Sequence, residues 1–127
     1  MQQAWRKGAV WRPMTDEHLQ RGIELLNAQQ FFDAHEELEN AWRAAPPDYK
    51  LFYQSLVQVA VAMHHCSKGN LRGGRSVLDR AVRNLVASAR ASAGFDASGL
   101  HEQLVVWQSA LANGGEFPPW PQVRMTV

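Results

Sequence analysis

The chain has 127 residues, which is enough for one domain with one hydrophobic core, and its 46% hydrophobic and 20% charged residues are typical of globular proteins. This composition argues against fibrous repeats and extensive disorder. The net charge of +1 gives no overall field that would attract nucleic acid or an acidic membrane surface, so neither is expected as a partner. The single cysteine, Cys66, cannot form an internal disulfide, and we therefore expect a reducing, cytoplasmic location.

Neither a secretion signal nor a membrane span is predicted. Residues 1–14 include three basic side chains but no apolar run long enough for a signal peptide. The longest uncharged run, residues 51–67, contains several polar side chains and is shorter than the roughly 20 apolar residues that cross a bilayer. It is predicted to be a buried helix.

Three segments are predicted along the chain. Residues 1–14 show no helical period and form an extended arm that carries two tryptophans. Residues 15–113 form a single helical domain, and the prolines of residues 114–127 make a non-helical tail. The large apolar side chains of the arm and tail need a surface to cover them, which is either the domain itself or a partner such as a second copy of the chain.

Hydrophobic periodicity predicts an all-α fold, a compact bundle of four to five antiparallel helices. Thr15 is expected to begin the first helix, Pro46 and Pro47 to separate the second from the third, and Gly69 with Asn70 to join the third to the fourth. The third helix is apolar around most of its circumference, so we expect it at the centre of the bundle. The first four predicted helices cover residues 15–28, 31–44, 48–68 and 71–92. Residues 96–99 lead into the fifth, which is predicted to end at residue 113.

The second predicted helix carries a histidine and carboxylates at spacings that suit metal chemistry. His35 lies on the apolar stripe of this helix, and Glu39 stands one turn further along. A histidine and a carboxylate at i and i+4 can bind one divalent metal, and His64 of the third helix could complete a three-ligand site. Glu36, turned about 100° from His35, would then act as the general base on a metal-bound water. Zinc, iron and manganese are the candidate ions.

The same residues have a purely structural interpretation. A histidine that faces inward is commonly hydrogen-bonded within the core, and Glu39 is a suitable partner for His35. In that case the cluster stabilises the fold and binds no metal. Both interpretations remain open from the sequence.

The order and spacing of several residues resemble the small helical bacterial and archaeal proteins grouped as domain of unknown function 309. The resemblance covers about Gly22 to Leu85, with serine at position 55 where the family often has glycine. It rests on Phe32, His35, Glu36, Leu38, Glu39 and Trp42, then Gln54, Leu56, Gln58, Ala60 and His64, then Gly69, Asn70 and Gly73.

The resemblance implies an all-helical fold, and members of this family are sometimes labelled predicted metal-dependent hydrolases. Beside the four residues already named, it adds Gln54, Gln58 and Asn70 as polar residues that support a site or join helices. The two glutamines are one turn apart on the central helix and could connect the second and third helices. Asn70 is also explained as a helix cap alone.

A non-catalytic binding or scaffold module is the alternative to a hydrolase. Arg72, Arg75 and Arg83 lie opposite the apolar stripe of the fourth helix, and Gly73 leaves backbone N–H groups accessible to an anion. A solvated outer face explains these arginines equally well. The sequence therefore leaves three classes of function: metal-dependent hydrolase, anion or nucleic-acid binding, and association with a protein partner.

Overall fold

The computed structural model describes residues 16–92 and 94–126, and within them the chain forms five α-helices and no β-strand, which confirms the predicted all-α class. A short 3₁₀ turn, Ala89–Ala91, follows the fourth helix. The helices are α1 (Glu17–Asn27), α2 (Phe31–Ala44), α3 (Pro47–Ser67), α4 (Leu71–Ala87) and α5 (Ala97–Asn113). The predicted arm, residues 1–14, and the proposed cap Thr15 lie outside the described residues.

The helix ends follow from local side chains. Asp16 caps α1, because its carboxylate accepts from the backbone N–H of Leu19 at 3.0 Å. Asn70 caps α4 as predicted, accepting from Gly73 N at 3.0 Å, and Gly69 before it has the left-handed φ of +84°. These caps join consecutive helices through short turns, which makes neighbouring helices antiparallel.

The fourth helix ends five residues earlier than the sequence predicts. The Ser88 hydroxyl donates to the carbonyl oxygen of Asn84 at 2.7 Å, and such side-chain bonds compete with the backbone ladder for the last carbonyls of a helix. The chain then makes the 3₁₀ turn, so Ala89, which helical spacing would place on the apolar stripe of a longer α4, is exposed.

Helix α3 lies at the centre of the bundle and packs against α2 on one side and α4 on the other. Its Phe52, Leu56 and Met63 are completely buried, as expected for a helix that is apolar on most of its surface. Trp42, whose helical spacing places it on the apolar stripe of α2, is half-buried near the end of that helix. The Nζ of Lys50 lies 4.8 Å from the centre of its ring and donates to the Trp42 carbonyl oxygen at 2.6 Å.

Two glycines allow close contact between helices. A Cβ atom at Gly22 of α1 would lie 2.6 Å from Leu38 Cγ on α2. A Cβ atom at Gly74 of α4 would lie 2.5 Å from the sulfur of Cys66 on α3. Burial beneath α4 raises the pKa of the Cys66 thiol, because an apolar environment disfavours the thiolate.

The C-terminal tail packs on the bundle. The indole N–H of Trp107 on α5 donates to the Pro119 carbonyl oxygen at 2.9 Å, and the Trp107 and Trp120 rings stack with centres 5.1 Å apart. Trp120 also contacts Phe31 at the start of α2, with ring centres 5.0 Å apart. Of the aromatic tail residues, which the sequence left to either the domain or a partner, Trp120 packs on the protein's own α2 and α5, whereas Phe117 contacts Trp107 and stays 42% exposed.

None of the helices within residues 16–92 and 94–126 combines the length and apolar character that crossing a membrane requires.

Candidate functional site

The surface between α2 and α3 carries an aromatic pocket formed by Phe32, His35, Val61 and His64. Phe31 and Phe32 are successive residues at the start of α2, so their side chains point about 100° apart. Phe31 is buried against the tail, with 4% of its surface exposed, whereas Phe32 is 55% exposed. The pocket is thus bordered by a large apolar side chain that the fold does not cover.

The pocket is half-open and has a volume of about 160 Å³. The centres of the Phe32 and His64 rings are 5.8 Å apart, and those of Phe32 and His35 are 6.4 Å apart. His35 and His64 are both half-buried, and Val61 of α3 contributes a further apolar side chain to the lining. The lining therefore combines apolar contact area with the ring nitrogens of two histidines.

Glu39 is held by two neighbours on its own helix. Its carboxylate accepts from the Arg43 guanidinium at 2.7 Å, and the second carboxylate oxygen lies 3.5 Å from Nε2 of His35. Both neighbours are four residues away along α2, a spacing that brings side chains together on a helix. The predicted contact between His35 and Glu39 is present, and Arg43 shares the same carboxylate.

The three proposed metal ligands do not form a common group. Within residues 16–92 and 94–126 no three His, Cys, Asp or Glu side chains lie close enough to hold a metal ion. His35 and Glu39 approach each other, but the ring of His64 is packed beside Phe32 and beside His65, whose ring centre is 6.4 Å away. Glu36, the proposed base, lies on the exposed face of α2.

The outer face of α2 next to the pocket is acidic. Asp33 and Glu36 are exposed, and Glu37 and Glu39 are half-buried on either side of them. Arg43 is the basic residue of this helix, and it is paired with Glu39. A ligand that approaches the pocket across α2 would therefore come close to these carboxylates.

The three polar residues that the family resemblance contributed lie on α3 or at the start of α4, and two of them have side-chain partners. The side-chain oxygen of Gln58 accepts from Asn84 Nδ2 at 2.8 Å. Gln58 therefore joins α3 to α4, whereas the sequence suggested a link between α3 and α2. Asn70 caps α4 and also lies 3.2 Å from Nδ1 of His65 through its amide nitrogen. Gln54 is half-buried on α3.

The arginines of α4 are only partly brought together. Arg72 and Arg75 line a surface groove of about 550 Å³ with Leu71 and Leu111, whereas Arg83 lies outside this groove. The N–H of Gly73, which an anion would need, is already bonded to Asn70. The N-terminus of α4 therefore has one fewer free backbone N–H group for an anion than the sequence indicated.

Phe32 and Val61 were not singled out as site residues by the sequence reasoning. The sequence did contain a usable signal, since two successive phenylalanines on one helix cannot both face the same core. No comparable pattern marks Val61, because its place beside Phe32 depends on how α3 packs against α2.

The fold and the pocket define a small all-α protein with a half-open aromatic pocket between its second and third helices. Residues 19–77 match the sequence model of the family described as domain of unknown function (DUF309). The resemblance drawn from the motifs is confirmed, and the matched segment contains all four residues of the pocket.

The chain is also similar to the uncharacterized protein YpuF of Bacillus subtilis (strain 168), with 31% identity over 70 residues. These residues are 54% of this chain and 40% of the relative, so the chain matches less than half of the relative's length. No solved structure matches the chain.

Proposed function

We propose that this protein is a non-catalytic binding module whose aromatic pocket receives one aromatic side chain, flanked by basic residues, from a polypeptide. The observation that carries the proposal is Phe32, an aromatic residue 55% exposed at the edge of a half-open pocket. Exposed apolar area beside a concave surface is typical of sites where a partner buries a side chain.

The size of the pocket suits one aromatic side chain. Its volume is about 160 Å³, and a protein cavity of about 150 Å³ is known to accept benzene. Phe32, His35 and His64 offer ring edges and faces, and aromatic pairs with ring centres about 4.5–7 Å apart attract one another beyond the burial of their area. An aromatic side chain is therefore the best-fitting occupant.

The charge around the pocket favours basic residues next to that ring. Asp33 and Glu36 are exposed on α2, and α2 as a whole has four carboxylates and one arginine. Opposite charges at the rim of an interface increase the association rate and discriminate among partners. An aromatic residue followed by arginine or lysine fits both parts of this surface.

A metal-dependent hydrolase is supported less well by the same geometry. Catalytic zinc sites use three protein ligands and an open position, and the described residues contain no group of three potential ligands. The carboxylate of Glu39 is also bonded to Arg43 at 2.7 Å. Breaking that ion pair would oppose metal binding.

The test uses the full chain and two probes, N-acetyl-Trp-Arg-amide and N-acetyl-Trp-Glu-amide, titrated while the methyl NMR signals of Val61 are recorded. We expect saturable shifts at Val61, a dissociation constant on the order of 1 mM, and weaker binding of the glutamate probe. Phe32→Ala should weaken binding about three- to tenfold, because one aromatic contact is lost.

Val106→Ala is the matched control, because Val106 is equally exposed, at 55%, but lies on α5. It should leave the affinity unchanged. Shifts that do not saturate, or that saturate with the same dissociation constant in Phe32→Ala as in wild type, would contradict the proposal. Stoichiometric zinc that is lost in His35→Ala would instead favour the hydrolase.

A further inference from the structure

We propose that this protein associates head to tail with further copies of itself, and that Phe32 of one copy docks into the groove between α4 and α5 of the next. The contact involves no ligand of the aromatic pocket, so it goes beyond the proposed function and does not depend on it. The distribution of charge over the helices and one exposed apolar residue on each surface carry the proposal. Each copy supplies both halves of the interface.

Charge is distributed unevenly between the two sides of the bundle. Helices α1 and α2 together contain six carboxylates and two arginines, whereas α4 contains four arginines and one aspartate. Because α2 and α4 pack on different sides of α3, the acidic and the basic surfaces face away from each other. The net charge of +1 conceals this asymmetry. Opposite charges on two surfaces of one molecule favour contact between copies.

The basic surface has charges that a second molecule can pair. The arginines of α4 are all exposed: Arg72, Arg75, Arg80 and Arg83. None of them forms an ion pair within residues 16–92 and 94–126. The carboxylate of Asp79, on the same helix, accepts from Nε2 of Gln108 on α5 at 2.8 Å. It therefore joins α4 to α5, and carboxylates of another copy can pair with the arginines.

The groove between α4 and α5 offers apolar contact beside two of these cations. It is lined by Leu71 and Leu111, and Arg72 and Arg75 border it. Leu71 is 44% exposed. The groove has a volume of about 550 Å³, and a protein cavity of about 150 Å³ is known to accept benzene. A phenylalanine ring therefore fits in the groove.

The outer face of α2 carries the complementary pattern at the same spacing. Phe32 is 55% exposed, and the exposed carboxylate of Glu36 stands one turn further along, about 6 Å along the helix axis. Leu71 and Arg75 are separated by the same four residues on α4. With the two helices side by side and parallel, a Phe32 ring against Leu71 brings Glu36 to Arg75. One aromatic anchor and one charge pair thus coincide in a single register.

The contact joins two different surfaces, so it does not close on itself in a dimer. One end of a dimer still presents an acidic α2, and the other end presents the groove of α4. Association therefore continues beyond two copies, and the mean mass rises with protein concentration. Because each contact buries little more than one ring and a few charges, we expect a dissociation constant on the order of 0.1 mM.

The experiment is sedimentation equilibrium of the full chain between about 10 µM and 1 mM protein. Glu36→Arg and Arg75→Glu should each weaken association about tenfold or more, because each places like charges opposite one another. The double variant Glu36→Arg/Arg75→Glu should restore association, since it exchanges the charges of the pair. Phe32→Ala should weaken association about three- to tenfold. Arg90→Glu and Glu102→Arg reverse exposed charges elsewhere, so these matched controls should leave it unchanged.

A wild-type chain that remains monomeric at the highest concentration would overturn the proposal. Equal effects of Arg75→Glu and Arg90→Glu would attribute the association to net charge, and a double variant that stays monomeric would exclude the pair of Glu36 with Arg75. Binding of a labelled RNA by a monomeric protein, lost in Arg75→Glu, would assign the basic surface to nucleic acid instead. The proposed function is judged separately, because Arg75 does not line the aromatic pocket.

Discussion

The side chain of Asn27, at the end of α1, forms two hydrogen bonds with the backbone of Val123, 96 residues further along the chain. Its amide nitrogen donates to the Val123 carbonyl oxygen at 3.0 Å, and its oxygen accepts from the Val123 N–H at 2.8 Å. The Asn27 side chain thus pairs with both backbone polar groups of Val123, as a neighbouring β-strand would do. It fixes the C-terminal segment against the turn between α1 and α2.

Asn27→Ala is expected to loosen the tail. Both backbone groups of Val123 would lose their partner in a half-buried position, and we expect a loss of about 1–3 kcal/mol in the free energy of unfolding. Urea unfolding at 25 °C measures this loss, and faster tryptic cleavage after the exposed Arg124 would report the tail directly. Asn113→Ala, which removes an exposed asparagine at the end of α5, is the control and should change neither. Equal stability of the two variants would contradict the prediction.

Gly74→Ala is expected to destabilise the contact between α3 and α4. The new methyl group would lie 2.5 Å from the Cys66 sulfur and 3.1 Å from the Ala62 carbonyl oxygen, so a helix must move. Overpacking of this kind costs about 1–3 kcal/mol. The double variant Gly74→Ala/Cys66→Ala should recover part of the loss, because the sulfur is the nearer atom. Additive losses in thermal unfolding would show that the sulfur is not the obstacle.

Stability should depend on pH through His18. The hydrogen bond to Glu37 raises the pKa of His18, slight desolvation lowers it, and the charges of Glu37, Asp16 and Glu17 raise it further. Because the folded-state pKa exceeds the unfolded value, the stabilisation is present below about pH 6.5 and is lost as the pH rises through the folded-state pKa. The pair is exposed, so its effect is small.

Glu37→Gln tests this pair. Its melting temperature should fall below that of wild type by on the order of 1–2 °C at pH 5.5, and the difference should vanish at pH 9. A difference that is constant across this range, or larger at pH 9, would assign the effect of Glu37 to packing and not to the charge of His18.

Metal removal should leave the fold intact. The described residues contain no group of three potential ligands, and Glu39 is paired with Arg43. We therefore expect the same melting temperature with and without EDTA, and zinc below stoichiometric amounts by elemental analysis of untagged protein. Glu39→Gln should not alter the zinc content. Zinc near one per chain that falls in this variant would reverse the prediction.

The sequence predicted the helices well because their signals are local. The bounds of α2 agree with the prediction at both ends, and the Gly69–Asn70 joint forms as expected. The predicted end of α4 was wrong. The hydrogen bond from the Ser88 hydroxyl to the Asn84 carbonyl oxygen competes with the helical backbone bonds, and hydrophobic periodicity does not show which of them forms. At the candidate site, His35 lies beside Glu39, and His64 packs beside Phe32 and lines the same pocket as His35.

The sequence by itself determined the class of fold, the caps and joints between helices, and the faces of each helix that are apolar, since backbone dihedral preferences and side-chain spacing act within a few residues. Only the tertiary structure decided that Phe32 and Val61 form a pocket, that Gln58 bonds to α4, and that the tail returns to Asn27. The physical reason is that distances between side chains on different helices depend on how the helices rotate and cross when they pack. That geometry is set by the fit of the whole core, as at Gly22 and Gly74, and is not encoded in the spacing of any one segment.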